Sequence, residues 1–243
     1  IAMYGALAVG APLGTWLHKD HGFAGMSLAA ALAPLAALAL VPLARAVAPV
    51  GGARIPFHRV VGLIWLPGLG LALGALGFGA IVAFSALRFG EAGWSRAALA
   101  MTAFGAAYVL ARLALGRLPD KLGGARVAMG SAAVAVVGQL GMWLATSADV
   151  AIASAALTGL GFSLAFPSFG VAAMRRVPPH NRGVALGAYT ACFDLTMGVG
   201  VPLLGVVVGG AGYGAAFAVG ALGAAGSLLV AIALSVQSAR SAS

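Results

Sequence analysis

The stretch Arg112-Leu-Ala-Leu-Gly-Arg-Leu-Pro-Asp-Lys-Leu-Gly-Gly-Ala-Arg126 decides how the rest of the chain is read. It packs four basic residues and one acid into a short hinge, with long apolar stretches on both sides. A hydrophilic hinge between two membrane-length segments marks a tight cytoplasmic turn, because lipid excludes charge and cytoplasmic loops collect Lys and Arg.

Composition agrees with that reading. The 243 residues are 62% hydrophobic and only 8% charged, with a mean hydropathy of +1.04. Soluble domains carry roughly a quarter charged residues, so this chain cannot cover itself with polar groups and lipid is its expected solvent. Its 37 glycines fit helices that approach one another closely inside a bilayer. The net charge of +9 does not indicate nucleic acid. The bases fall in short clusters between apolar runs, which is a topology signal. A single cysteine, Cys192, excludes an internal disulfide and any multi-cysteine metal site. The chain opens on Ile1 inside an apolar run with no signal peptide, and is expected to be a piece of something longer.

Working outward from the hinge, the apolar runs predict an all-α membrane protein of about eight spans. These are Ile1 to Leu17, Gly25 to Ala46, Pro67 to Leu87, Arg96 to Leu115, Val127 to Ala145, Val150 to Met174, Gly183 to Val208 and Gly212 to Val236. His18-Lys-Asp-His21 reads as a polar tip between the first two, and Pro49, Gly51, Gly52, Arg54 and Pro56 as the next connection. Arg59 to Arg88 is too long for one upright helix. Pro67-Gly68 is expected to divide it, leaving Phe57 to Leu66 as an interfacial lead-in. The domains are then 1–48, a connection over 49–66, and 67–243. No sustained period-2 alternation supports a β-barrel.

Charge tests the count. With the Asp120 loop inside and the spans alternating, the inner side holds Arg45, Arg54, Arg59, Arg112, Arg117, Lys121, Arg126, Arg175, Arg176, Arg182 and Arg240. The outer side holds only Lys19, Arg88 and Arg96. A wrong count would scramble this sorting, so the expectation is an even-numbered bundle with a cytoplasmic C-terminus.

The spacing Gly116-x-Leu-x-Asp120-Lys121-x-Gly123, followed by Arg126, resembles the loop signature of the major facilitator superfamily, which recurs between the second and third helices of each six-helix half. Pro119 stands where a small residue is usual, and Ala125 displaces the trailing base to Arg126. Gly10-Ala-Pro12-Leu-Gly14 is similar to the fifth-helix pattern of antiporters, with Ala11 in place of a glycine and the last glycine one position early. Trp65-Leu-Pro-Gly-Leu-Gly70, the run Gly159 to Pro167, and Asn181-Arg-Gly-Val-Ala-Leu-Gly187 resemble a bacterial exporter-like branch. Its members are inner-membrane proteins, some described as sugar or drug exporters. The resemblance implies an MFS-type bundle running from helix five to helix twelve: two helices closing the N-terminal half, then a complete C-terminal half.

Candidate mechanistic residues follow. Asp194 is the one acid deep inside a predicted span, flanked by Tyr189, Phe193 and Thr196. A carboxylate at mid-bilayer costs about 2.5–3.5 kcal/mol even on lenient scales, so it faces a cavity or a partner. Two roles stay open: it exchanges a proton or binds substrate, or it hydrogen-bonds a neighbouring helix and fixes packing. Gln139 reads as interhelical glue with a possible place in the same path. In the hinge, Asp120 is either a gating carboxylate or part of a solvated turn. The resemblance points the gate at the helix starting near Arg182, while Arg112, two turns earlier, is a possible partner for Asp120 or for lipid phosphate. The pairs Gly10/Gly14, Gly70/Gly74 and Gly183/Gly187 have the spacing of close helix packing. Pro67, Pro167 and Pro202 are expected bends. His18, Asp20 and His21 make a poor metal set without Cys or Glu. No cofactor motif or catalytic triad is present.

The function expected is secondary transport of a small sugar- or drug-like molecule, proton-coupled and outward, through the bacterial inner membrane. The partners are then the bilayer, that substrate and protons, with no nucleic acid. An inactive membrane remnant is the alternative, and a membrane-embedded enzyme is disfavoured because no cluster of catalytic groups lies at one depth.

Overall fold

A computed structural model describes residues 2–43 and 55–240. Arg45, Arg54, the connection from Pro49 to Gly52 and the last three residues lie outside that description. The chain divides into two compact units at Gly52 and Ala53, which are taken separately.

In the first unit, helix α1 runs Ala2–Leu40 and ends in a 3-10 turn, Val41–Leu43. Two spans separated by the polar tip 18–21 were expected. The tip is helical instead, and the break falls one residue later, at Gly22, with φ 62° and ψ −160°. Only glycine takes that conformation without strain, so the helical run changes course there. Trp16–Leu40 is long and apolar enough to cross a membrane. Gly10, Pro12 and Gly14 all fall within α1.

The second unit holds the remaining helices: α2 (Phe57–Glu91), α3 (Ala97–Leu115), α4 (Leu118–Leu122), α5 (Gly124–Leu144), α6 (Ala148–Met174), α7 (Arg182–Leu195), α8 (Val201–Ala211) and α9 (Gly214–Arg240). A π-helical turn, Thr196–Gly200, joins α7 to α8 in one continuous run. Six membrane-length helices therefore stand where the sequence placed six. Among the described residues the whole chain has seven, the difference from eight lying in α1. In lipid an apolar segment must satisfy its own backbone groups, and helix is the form in which each of these runs does so.

One expectation fails in α2. The helix continues through Pro67 and Gly68 rather than dividing there, so 57–66 is not a separate lead-in. At about 1.5 Å per residue its 35 residues reach roughly 52 Å, beyond a hydrocarbon core of ~30 Å. Packing supplies the reason. Pro67, Gly68 and Gly70 are buried, with Gly68 against the Cys192 sulfur and Gly70 against the Phe169 ring. Neighbouring helices hold the run together across the backbone bond that proline removes.

Close approach by small residues builds the bundle. A Cβ at Gly138 would collide with Thr158, one at Gly161 with Ala135 and Ser131, and one at Gly159 with the Phe104 carbonyl. Helix α5 thus packs on α6, and α6 on α3; α9 closes against α2 and α5. Ser227 Oγ donates to the Gly70 carbonyl at 2.7 Å, and Gly74 faces the same side chain. Gly70/Gly74 is therefore a packing pair. Gly183 and Gly187 have open space around them, and the close contact expected there is not made among the described residues.

Candidate functional site

Two polar ends and an interior polar strip emerge from this packing. At one end, the α2–α3, α5–α6 and α8–α9 connections meet. Arg88 pairs with Glu91 at 3.0 Å and lies 5.2 Å from the centre of the Trp94 ring. The other Glu91 oxygen accepts the Tyr213 N–H at 3.3 Å, tying α2 to the start of α9. Arg96 holds a left-handed backbone, φ 70°, and its guanidinium reaches Asp149 in the first turn of α6 at 2.8 Å. Ser147 caps that helix by accepting the Val150 N–H, and Asp149 suits the positive end of its dipole.

The opposite end carries the predicted loop. Gly116 closes α3, its N–H donating to the Arg112 carbonyl at 3.0 Å. The hinge then folds into the single turn of α4, with Pro119 buried near its start and Asp120 and Lys121 exposed. Gly123, at φ 93°, turns the chain into α5, which begins with Arg126 exposed. Arg112 does not pair with Asp120. It donates to the Ser163 carbonyl on α6 at 3.1 Å, while Ser163 Oγ donates to the Tyr108 carbonyl at 2.8 Å. Arg182 is exposed at the start of α7. Neither ion pair among the described residues includes Asp120 or Arg182. Asn181, which sequence reasoning used only as part of a longer phrase, is buried. Its side-chain oxygen accepts the Ile55 N–H at 3.3 Å and ties the start of α2 to the start of α7.

Inside the bundle, Gln139 is fully buried. Its amide nitrogen donates to the Gly77 carbonyl at 3.0 Å and lies 3.4 Å from Thr158 Oγ1. That bridges α5, α2 and α6. Its oxygen has no hydrogen-bond partner among the described residues and faces Gly220 on α9, where any Cβ would collide with it. Tyr189 is also fully buried and donates to the Phe166 carbonyl at 2.6 Å. Both of these side chains connect helices.

Asp194 stands apart. Helix α7 buries Ala185 and Tyr189 and half-buries Cys192, whereas Gly183, Gly187 and Asp194 are exposed on other faces. Its neighbour Phe193 joins an aromatic cluster, 5.8 Å from Phe78, 6.2 Å from Phe162 and 6.3 Å from Phe166 between ring centres. Two residues on, Thr196 opens the π turn, with Oγ1 3.0 Å from the Cys192 carbonyl and 3.2 Å from that of Ala72. Such turns loosen the helical ladder, and Pro202 just beyond this one brings no N–H. The acid thus sits where aromatic packing is rigid on one side and the backbone is irregular on the other. Among the described residues, no three His, Cys, Asp or Glu side chains come together to hold a metal.

Comparison with known proteins decides the family. The sequence profile of the Major Facilitator Superfamily matches residues 68–242. The chain belongs to this superfamily. An uncharacterised MFS-type transporter of Salmonella typhimurium is 44% identical over 213 residues, covering 88% of this chain and 55% of the relative. One from Pseudomonas aeruginosa is 45% identical over 191 residues, 79% of this chain and 48% of the relative. One from Burkholderia mallei is 42% identical over 243 residues, 99% of this chain and 59% of the relative. The facilitator chain thus spans about half to three-fifths of the length of these relatives. It is a multi-pass helical membrane protein of a transporter family.

Proposed function

We propose that this chain is part of a proton-coupled facilitator that exports a small sugar- or drug-like molecule across the bacterial inner membrane. Asp194 is its coupling group. The observation that carries the reading is the setting of Asp194: an acid near the middle of a membrane-length helical run, exposed, beside an aromatic cluster and a π turn. An acid that only fixed packing would be engaged by a neighbouring helix, as Gln139 and Tyr189 are. Facing outward from α7, it is available to a substrate path shared with helices that its longer relatives possess. Gly10, Pro12 and Gly14 support the outward direction through their likeness to the antiporter pattern. On this reading the 243-residue chain alone performs no coupled transport.

The test uses the transporter at the full length of its relatives. Asp194→Asn keeps size and hydrogen bonding but cannot release and regain a proton, so it abolishes transport driven by a pH gradient while sparing substrate binding. Asp194→Glu retains activity with a shifted pH optimum. Full gradient-driven transport in the Asn variant would eliminate the coupling role. A nearly silent Asn and a damaging Glu would identify a packing residue instead.

A further inference from the structure

Three segments far apart in sequence enclose a crevice of about 620 Å³ at the basic end: the start of α5, the end of α6 and the end of α9. Its charged groups are Arg126, Arg175 and Arg176, and no acid lines it among the described residues. Arg126 and Arg175 are exposed, while Arg176 is half-buried and donates to Gln237 Oε1 at 2.8 Å. Burial lowers the Arg176 pKa below its ordinary value, yet a guanidinium remains charged in proteins, so this cation is partly stripped of water without an acid opposite.

The backbone adds to the same field. The first intrahelical bond of α5 runs from the Val127 N–H to the Gly123 carbonyl at 3.3 Å. The N–H groups of Gly124, Ala125 and Arg126 therefore precede the ladder, and no side chain caps them. Gly124 is locked in place, since a Cβ there would run into the Ser168 carbonyl of α6. Three arginines lining one crevice beside the positive end of a 21-residue helix suit an anion with several acceptor oxygens.

The surroundings specify which anion. The outer face of α5 leads away from Arg126 at helical spacing. On α5, the position of Gly130 is open space, followed by exposed Val137 and Leu140. A free phosphate has no use for such surfaces, whereas acyl chains lie along them. We propose that this crevice binds the phosphodiester headgroup of an anionic phospholipid, with its chains running down the outer face of α5. The inference rests on the membrane placement proposed above.

The chain, purified in detergent and stripped of lipid, is titrated with phosphatidylglycerol, phosphatidylcholine or inorganic phosphate. Bound lipid is counted by native mass spectrometry, and the thermal midpoint is followed in parallel. Phosphatidylglycerol is expected to bind about ten-fold or more tightly than phosphatidylcholine and to raise the midpoint, as basic pockets at helix ends do for acidic headgroups. Inorganic phosphate at millimolar concentration shifts nothing. Arg126→Gln, an exposed substitution that leaves the bundle intact, and the double variant Arg175→Gln/Arg176→Gln each remove the preference. Arg117→Gln, in the same loop but outside the crevice, keeps it. Equal binding of phosphatidylcholine, a matching response to inorganic phosphate, or equal loss in Arg117→Gln would each overturn the site. A chain that fails to insert into membranes would instead defeat the transporter reading itself, and carbonate extraction scores that separately.

Discussion

The two ends of the second unit treat charge in opposite ways. At the end formed by the α2–α3, α5–α6 and α8–α9 connections, each arginine finds an acid: Arg88 has Glu91, and Arg96 has Asp149. At the other end, among the described residues, Arg59, Arg112, Arg117, Lys121, Arg126, Arg175, Arg176 and Arg182 share one acidic side chain, Asp120, which enters no ion pair there. Two of these arginines donate to uncharged oxygens, those of Ser163 and Gln237. One end neutralises itself locally and the other keeps its positive charge. Under the positive-inside rule, the end richer in Lys and Arg is the one expected on the cytoplasmic side.

The contrast also predicts what holds each end together. The basic end depends on close packing at the start of α5, so Gly124→Val has the largest effect. A side chain there meets the Ser168 backbone, and overpacking of this kind costs about 1–3 kcal/mol. Thermal unfolding in detergent should show a clear drop in midpoint, together with loss of the crevice. An unchanged midpoint would mean that the α5–α6 junction is loose.

At the paired end the expected effects are smaller. Gly212 sits at φ 78° beside a Glu91 oxygen, so Gly212→Ala costs on the order of 1–2 kcal/mol for the left-handed backbone. Smaller still is the Arg96–Asp149 pair, whose side chains are 49% and 78% exposed. A double-mutant cycle of Arg96→Gln and Asp149→Asn should give a coupling under about 1 kcal/mol, shrinking with added salt. A larger, salt-insensitive coupling would show that this end is held by charge as well as balanced by it.

Much of this was legible in the sequence, and the limits have physical causes. Apolar runs placed the last five spans within a few residues, because lipid exposure leaves each helix apolar all round and the hinges polar. Pro67 misled because the chemistry of proline is local, whereas Gly68 and Gly70 packing against Cys192 and Phe169 is tertiary. The break at Gly22 fell just past the expected tip because the polar residues His18 to His21 are themselves helical. The singular position of Asp194 along its helix was readable, but its exposed face was not, since that depends on which side of α7 meets α2 and α6. The partners of Arg88 and Arg96 were hidden for a different reason: one pair is three residues apart, the other fifty-three. The crevice was beyond reach altogether, as its three arginines belong to two connections that only the fold brings beside α9.

Sidedness is the claim from which the rest follows, and labelling with a membrane-impermeant thiol reagent tests it directly. In a Cys192→Ala background, Thr146→Cys places a thiol at an exposed position of the paired end, one residue before the Ser147 cap. Arg117→Cys places one at an exposed position of the basic end. In intact cells Thr146→Cys should label from outside, and Arg117→Cys only after the membrane is opened. Labelling of Arg117→Cys in intact cells, with Thr146→Cys protected until permeabilisation, would contradict the account.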